Sequence, residues 1–239
     1  MAMRGGLHPL PLLPNRCIIE PGCGGDRKQT NIFEQEGQSP RDMDELGHGD
    51  LSLKTARLLL RKPCERDAAS MFEYASNENV SRYTSWETHK SIEDSKAFIK
   101  ESEACFGKGY GVGPFVILNK ETSDKVIGTI GCFNVPSTDK CMELGIAICE
   151  KYWRKGIATE ASREVINYAF SNFDLEKLQF QCAIENKASL ALARRLGFQY
   201  EGELRNIIWC KGQYWTMNSL SMLKDDWSKN QHLQNLHTL

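Results

Sequence analysis

A strand, a basic glycine turn and an amphipathic helix follow one another through residues 143–170, and that order constrains the fold more than any other feature. Leu144, Ile146 and Ile148 alternate with small residues, as in a strand packed inside a sheet. Arg154, Lys155 and Gly156 then form a turn that opens a helix. Along it Ala158, Ala161, Val165, Ile166, Ala169 and Phe170 recur near the helical period, so one stripe faces the sheet. At the turn, unbonded N–H groups meet the positive end of the helix dipole, which suits an anion such as phosphate. Gly156 allows close backbone approach, and Arg154 and Lys155 add positive charge.

The chain has 239 residues, 41% hydrophobic and 26% charged, with a net charge of −1. This fits one domain of ordinary size with a tail. A near-neutral balance argues against nucleic acid as a direct partner, because binding a phosphate backbone needs a concentrated basic face. Nine scattered cysteines form no C-x-x-C pair, so a disulfide framework or a zinc site is not expected, no metal is assigned, and a reducing, cytoplasmic setting is expected. No apolar run is long enough to span a bilayer, and no membrane partner is expected.

Residues 1–50 carry prolines at 9, 11 and 14 and scattered glycines, with no period, and are read as a disordered extension. The apolar stretch within 1–13 is too short and proline-rich for a clear signal peptide, a cleaved targeting segment is the secondary reading, and Met43 is an alternative start. The domain is expected over residues 51–227, with a polar, frayed tail over 228–239. Within it, residues 57–61 read as a strand and 67–74 as a helix. Ser91 and Asp94 have capping-box spacing before a second helix reaching about Cys105. Residues 79–90 between them, with Tyr83, Trp86 and His89, read as a loop.

Residues 113–118 and 126–133 form a hairpin pattern across a polar turn at 119–125, followed by a loop to Lys140. Residues 178–184 read as a strand, and 186–197 as a helix stopped by Gly197. Two last strands flank Lys211 and Gly212 and end near Lys224. The order predicts an α+β fold, a mixed sheet with helices on both faces. Neither GxGxxG nor GxxxxGK[ST] occurs.

Several segments together resemble a known family. They are Thr55 to Arg61, Trp86-Glu87-Thr88-His89, Glu143-Leu144-Gly145, Tyr152-Trp153-Arg154-Lys155-Gly156-Ile157-Ala158-Thr159, Asn186-Lys187-Ala188-Ser189, and Leu196-Gly197-Phe198 followed by Glu201-Gly202. Over about 175 residues, their order is similar to that of the GNAT superfamily of N-acetyltransferases, RimJ/RimL type, which acetylates protein N-termini. The resemblance implies a twisted, mostly antiparallel sheet of about seven strands, splayed to hold acetyl-CoA. It places the pyrophosphate on the backbone N–H groups of Arg154, Lys155, Gly156, Ile157, Ala158 and Thr159. Trp153 stands where the superfamily pattern usually has Gln or Arg, a variation RimJ/RimL-like members share. The strand at Ile146, Ala147 and Ile148 would pair with the pantetheine arm, while the strand near Gln179 splays away.

Acetyl transfer needs a neutral amine, a polarised thioester and a proton for the departing thiolate. Glu143 is the candidate base, directly or through water, or else a structural carboxylate. Asn186 is implied in holding the cofactor, or is an ordinary helix cap. Ser189 is the implied proton donor, because the position used by a tyrosine in many relatives is Ala193 here. Trp86 and His89 are candidates for the acceptor pocket, or they hold a loop. Cys149, beside the strand, has no neighbour in sequence that would activate a thiolate.

On the acceptor side the chain departs from its relatives. Thr216 and Met217 stand near a common aspartate position, and residues 207–210 are apolar where some relatives carry an acid. The expected acceptor is a primary amine, with a protein N-terminal α-amine ahead of a small amine or amino-acid derivative. A non-catalytic acyl-CoA-binding protein is the competing class, a nucleotide module lacks its motifs, and the expected assembly is a monomer or homodimer.

Overall fold

A computed structural model of the chain describes residues 51–106, 111–121, 125–135 and 140–236. The expected extension over 1–50, Met43, and parts of the turn at 119–125 and the loop before Lys140 lie outside these residues. The elements run β1 (Ser52–Lys54), β2 (Leu58–Arg61), α1 (Ala68–Ala75), α2 (Glu78–Ser81), α3 (Ile92–Cys105), β3 (Gly111–Asn119), β4 (Val126–Asn134) and β5 (Cys141–Ile148). They continue with α4 (Ile157–Asn172), β6 (Lys177–Ala183), α5 (Lys187–Leu196), β7 (Gln199–Cys210), β8 (Gln213–Leu223) and α6 (Lys224–Leu236).

The strands form one eight-stranded sheet in the order β1-β2-β3-β4-β5-β6-β8-β7. Every neighbouring pair is antiparallel except β5 and β6. This is the expected mixed fold, with one strand more than expected because Ser52–Lys54 pairs with β2. Two short elements escaped the sequence reading, β1 and the four-residue α2, since neither is long enough to display a period.

Residues that face each other across paired strands share a side of the sheet, which fixes two layers. On one side Leu144, Ile148, Ile130, Phe115, Leu178, Phe180 and Leu220 pack against Ile157, Ala161, Val165, Ile166, Ala169 and Phe170 of α4. Each fully buried Ile, Leu or Phe there contributes about 1.5–3 kcal/mol of transfer free energy. On the other side Val116, Leu118 and Val126 pack against Met71, Tyr74 and Ile99 of α1 and α3. Strands β4 and β5, covered on both sides, are buried almost throughout, and the edge strand β7 is mostly exposed.

The capping pair predicted ahead of α3 forms as expected, with Asp94 Oδ2 accepting from the Ser91 N–H at 2.9 Å. Residues 228–236, expected as a frayed tail, belong to α6. Trp227 docks that helix onto α4 by stacking on Phe170, ring centroids 5.3 Å apart, and donating to Asn167 Oδ1 at 3.0 Å. Cys64, Cys132, Cys141, Cys149 and Cys182 are free thiols, but Cys210 is disulfide-bonded, where the scattered cysteines predict no disulfide framework. Among the described residues, no helix is long and apolar enough to cross a membrane.

Candidate active site

Strands β5 and β6 are paired in parallel over only three rungs, Cys141↔Lys177, Met142↔Leu178 and Glu143↔Gln179. Beyond Glu143 the two strands part, while each stays bound to its other neighbour, β5 to β4 through Ile148 and β6 to β8 through Ala183. The result is a wedge whose closed end is the Glu143 rung. Backbone direction within it follows from the period of two. The Cys149 N–H donates to Ile127 O on β4 at 2.8 Å, and Cys141 O accepts from the Val135 N–H at 3.0 Å. Odd-numbered residues of β5 therefore turn their amides toward β4, and Leu144, Ile146 and Ile148 turn theirs into the wedge.

One of those groups is used internally, since Ile148 O accepts from the Trp153 indole N–H at 2.7 Å. Trp153 therefore anchors the turn that follows β5, even though its side chain is 42% exposed. On the opposite wall, Ile184 N–H donates to Thr216 O on β8 at 3.1 Å, so the amides of Gln181 and Ala183 face the wedge. Ala183 O accepts from the Asn186 N–H at 2.9 Å and closes that wall into the start of α5.

Because the strands are parallel and part at their C-terminal ends, both following helices begin at the open mouth. At the α4 start Arg154 and Gly156 have φ values of 60° and 77°, which bend the backbone so that successive N–H groups converge. The first α4 helical bond runs from Glu160 N–H to Gly156 O at 3.0 Å, so the amides of Ile157, Ala158 and Thr159 have no acceptor within the helix. A Cβ built on Gly156 would meet only the Arg57 guanidinium, at 3.4 Å, so the backbone there is open to close approach. Arg154 and Lys155 are exposed, and Lys155 Nζ lies 5.3 Å from the centroid of the Tyr152 ring.

Arg57 and Glu160 complete this corner, and the sequence reading passed over both. Arg57 Nε donates to Glu160 Oε2 at 2.7 Å and Nη1 to Lys155 O at 3.2 Å, while Thr55 Oγ1 donates to Glu160 Oε1 at 2.5 Å. Burial alone would raise the Glu160 carboxyl pKa, but the bonds from Thr55 and Arg57 outweigh it and hold the group below its ordinary range. The local signal that could have found Glu160 is an acid in the first turn of a helix. Arg57 offers no such signal.

At the other helix start Asn186 caps α5, its Oδ1 accepting from the Ser189 N–H at 3.1 Å. That leaves the Asn186 amide NH2 and the Ser189 hydroxyl, on a half-buried residue, beside the wedge. Glu143 is 9% exposed and shares the side of β5 that carries Gly145 and Ala147. On this side a shallow hollow, open to solvent, is lined by Trp86, Pro114, Thr129, Ile130, Gly131, Phe133, Gly145, Ile146 and Ala147. None of these side chains is charged.

The structure therefore gathers Glu143, Ile146, Ala147, Ile148, residues 154–159, Asn186 and Ser189 around one wedge, with Trp86 at the hollow beside it. His89 is placed differently. Its Nδ1 is 2.8 Å from Ser95 Oγ, and its ring packs against Trp86 and Phe98 at 5.4 and 6.4 Å between centroids. Burial draws its pKa down, with Asp94 opposing. Cys149 packs with the α1 and α3 layer. Among the described residues no group of three His, Cys, Asp or Glu could hold a metal.

Comparison with known proteins identifies the family. Residues 57–199 match the family described as "Acetyltransferase (GNAT) domain". The chain is 33% identical over 172 residues to the protein named "Uncharacterized N-acetyltransferase YoaA" of Bacillus subtilis (strain 168), covering 72% of this chain and 96% of that one. It is 26% identical over 164 residues to "Spermidine N(1)-acetyltransferase" of Escherichia coli (strain K12), covering 68% and 84%. Its fold is similar to that of the ribosomal L7/L12 alpha-N-protein acetyltransferase RimL, solved in complex with coenzyme A, with a TM-score of 0.66 at 18% identity over 74% of this chain and 99% of that one. With a strand wedge, a glycine-capped helix start at its mouth and a family match over most of the domain, the chain belongs to the GNAT family and is an acetyl-CoA-dependent N-acetyltransferase.

Proposed function

We propose that the protein acetylates a primary amine, preferentially a protein N-terminal α-amine, by direct attack while acceptor and acetyl-CoA are bound side by side. The observation that carries this reading is the parting of β5 from β6 immediately beyond Glu143↔Gln179, with both helix starts at the open end. Strand backbone groups in a wedge require partners, and the Ile146 amide and the Ile148 N–H suit the amides of a pantetheine arm. The convergent N–H groups of residues 154–159 suit its pyrophosphate. Bound there, acetyl-CoA supplies an activated acyl carbon.

The remaining roles belong to the chain. Glu143, at the closed end of the wedge, accepts the proton of the incoming ammonium directly or through a water. Ser189, in the first turn of α5, donates its hydroxyl proton to the departing thiolate. Asn186 holds Ser189 in place through its cap and offers its amide N–H groups to the cofactor arm. Trp86 and the uncharged hollow form the acceptor side. Binding both reactants in register supplies the proximity term, so no enzyme nucleophile is needed.

A small amine is the second reading, favoured by the 26% identity to a protein named for spermidine. Against it, the lining of the hollow carries no carboxylate to receive a second ammonium. A panel of N-terminal peptides, polyamines and amino-acid amides, scored by coenzyme A release and product mass, separates the two. Peptide acetylation well above that of spermidine supports the proposal, and the reverse order overturns it. Tight acetyl-CoA binding without turnover on any amine would mark a non-catalytic acyl-CoA-binding protein.

A further inference from the structure

The turn of the β7–β8 hairpin reaches across to the loop that carries Trp86. Lys211 and Gly212, at φ values of 54° and 74°, reverse the chain there, and Lys211 Nζ donates to the carbonyl of Ser81, the last residue of α2. Beside it the Trp215 ring meets Tyr83 edge-on with centroids 5.8 Å apart, and Trp215 Nε1 donates to Cys210 O at 3.0 Å, which braces the turn. Cys210 Sγ lies 3.7 Å from Ser85 O. The contacts thus fall on residues 81, 83 and 85, and the next residue, Trp86, lines the hollow. Burial pulls the Lys211 pKa down, with Glu87 opposing.

We propose that Lys211 is a positioning residue for the acceptor, tying the hairpin turn to Ser81 and so holding residues 81–86, and Trp86 with them, at the hollow. This rests on the reading of the hollow as the acceptor side. A carbonyl at a helix end accepting from an ammonium is a charge-assisted bond, stronger than a neutral one. Its loss frees the loop without touching the wedge, whose walls are built from β5, β6, α4 and α5.

Lys211→Met keeps the side-chain stem and removes the donor. In steady-state assays with the best peptide acceptor we expect the acceptor KM to rise about tenfold, the loss of one such bond, with the acetyl-CoA KM within about twofold of wild type. Lys211→Arg, which retains a cation, restores most of the acceptor KM. Hydrogen exchange of amides 83–90 should accelerate in Lys211→Met, while exchange at residues 157–160 stays unchanged. An unchanged acceptor KM, an equal rise in both KM values, or unaltered exchange at 83–90 overturns the proposal. If no amine is turned over, the acceptor reading fails, and the exchange measurement still decides whether Lys211 holds the loop.

Discussion

Arg57 and Glu160 lie 103 residues apart in the sequence and 2.7 Å apart in the fold. Their pairing fixes the turn between β1 and β2 against the first turn of α4, where Arg57 also holds Lys155 O. The glycine corner proposed to take the pyrophosphate is thus held by a contact from the far end of the domain.

That contact has a pH signature. The Glu160 carboxyl is held below its ordinary value of 4.5, so the stability it contributes is fully present above that pH and is lost as pH falls through the lower folded value. Arg57→Ala should cost about 1 kcal/mol at neutral pH, as expected for a half-exposed charged bond. It should also flatten stability against pH below 4.5. Denaturant midpoints at pH 7 and pH 4 check this, and an equal loss at both would refute the link.

Gly156→Val places a β-branched side chain at φ 77°. The left-handed conformation alone costs a non-glycine residue about 1–2 kcal/mol, and the side chain would fill the space kept open beside the α4 amides. We expect acetyl-CoA binding to be lost in calorimetry while the folded structure survives. Unchanged affinity would rule out the pyrophosphate corner.

Asn186 and Ser189 are separable by choice of substitution. Asn186→Ala removes the cap and should destabilise by about 1 kcal/mol, whereas Asn186→Ser keeps a capping oxygen. If Asn186 also contacts the cofactor, Asn186→Ser binds acetyl-CoA more weakly at wild-type stability. Ser189→Ala should lower kcat by about 100-fold or more, as expected for a lost proton donor, with acetyl-CoA affinity retained. A normal kcat would remove Ser189 from the mechanism.

Glu143→Gln preserves size at the closed end of the wedge and removes the basic oxygen. A base acting directly or through water predicts a fall in kcat/KM of about 100-fold, partly recovered at higher pH where the amine is already neutral. A purely structural carboxylate predicts a lowered melting temperature with kcat/KM near wild type.

His89 is expected to act through packing. Its burial lowers its pKa, so the folded state resists protonation, and stability is full above the ordinary value of 6.5 and declines as pH falls below it. His89→Phe should abolish that decline and leave kcat/KM within about twofold at pH 7. A large loss of activity at unchanged stability would instead make it an acceptor contact.

Much of this domain was legible because its elements are long and periodic. The apolar stripe of α4, the alternation in β5 and the Gly197 stop after α5 are local patterns, and local chemistry alone places them. His89 was not legible in this way. Its sequence neighbourhood fits either a pocket residue or one that holds a loop, and only the meeting of its ring with Phe98 and Ser95 on α3 favours the second.

Sequence alone therefore determined the order of the longer strands and helices from β2 to β8, though not β1, α2 or α6, together with the glycine turn at an anion-ready helix start and the resemblance that identifies the donor. The elements and the glycine turn reside in residues near one another along the chain, where spacing and side-chain type suffice, while the donor is what the ordered motifs of the resemblance imply. The parting of β5 from β6 near Gln179 was implied by the resemblance, whereas tertiary structure alone decided that Glu143 stands on the last paired rung, that Arg57 secures the α4 corner and that Lys211 reaches Ser81. Each joins segments whose separation carries no periodic signal, and only the packing of the whole sheet brings them together.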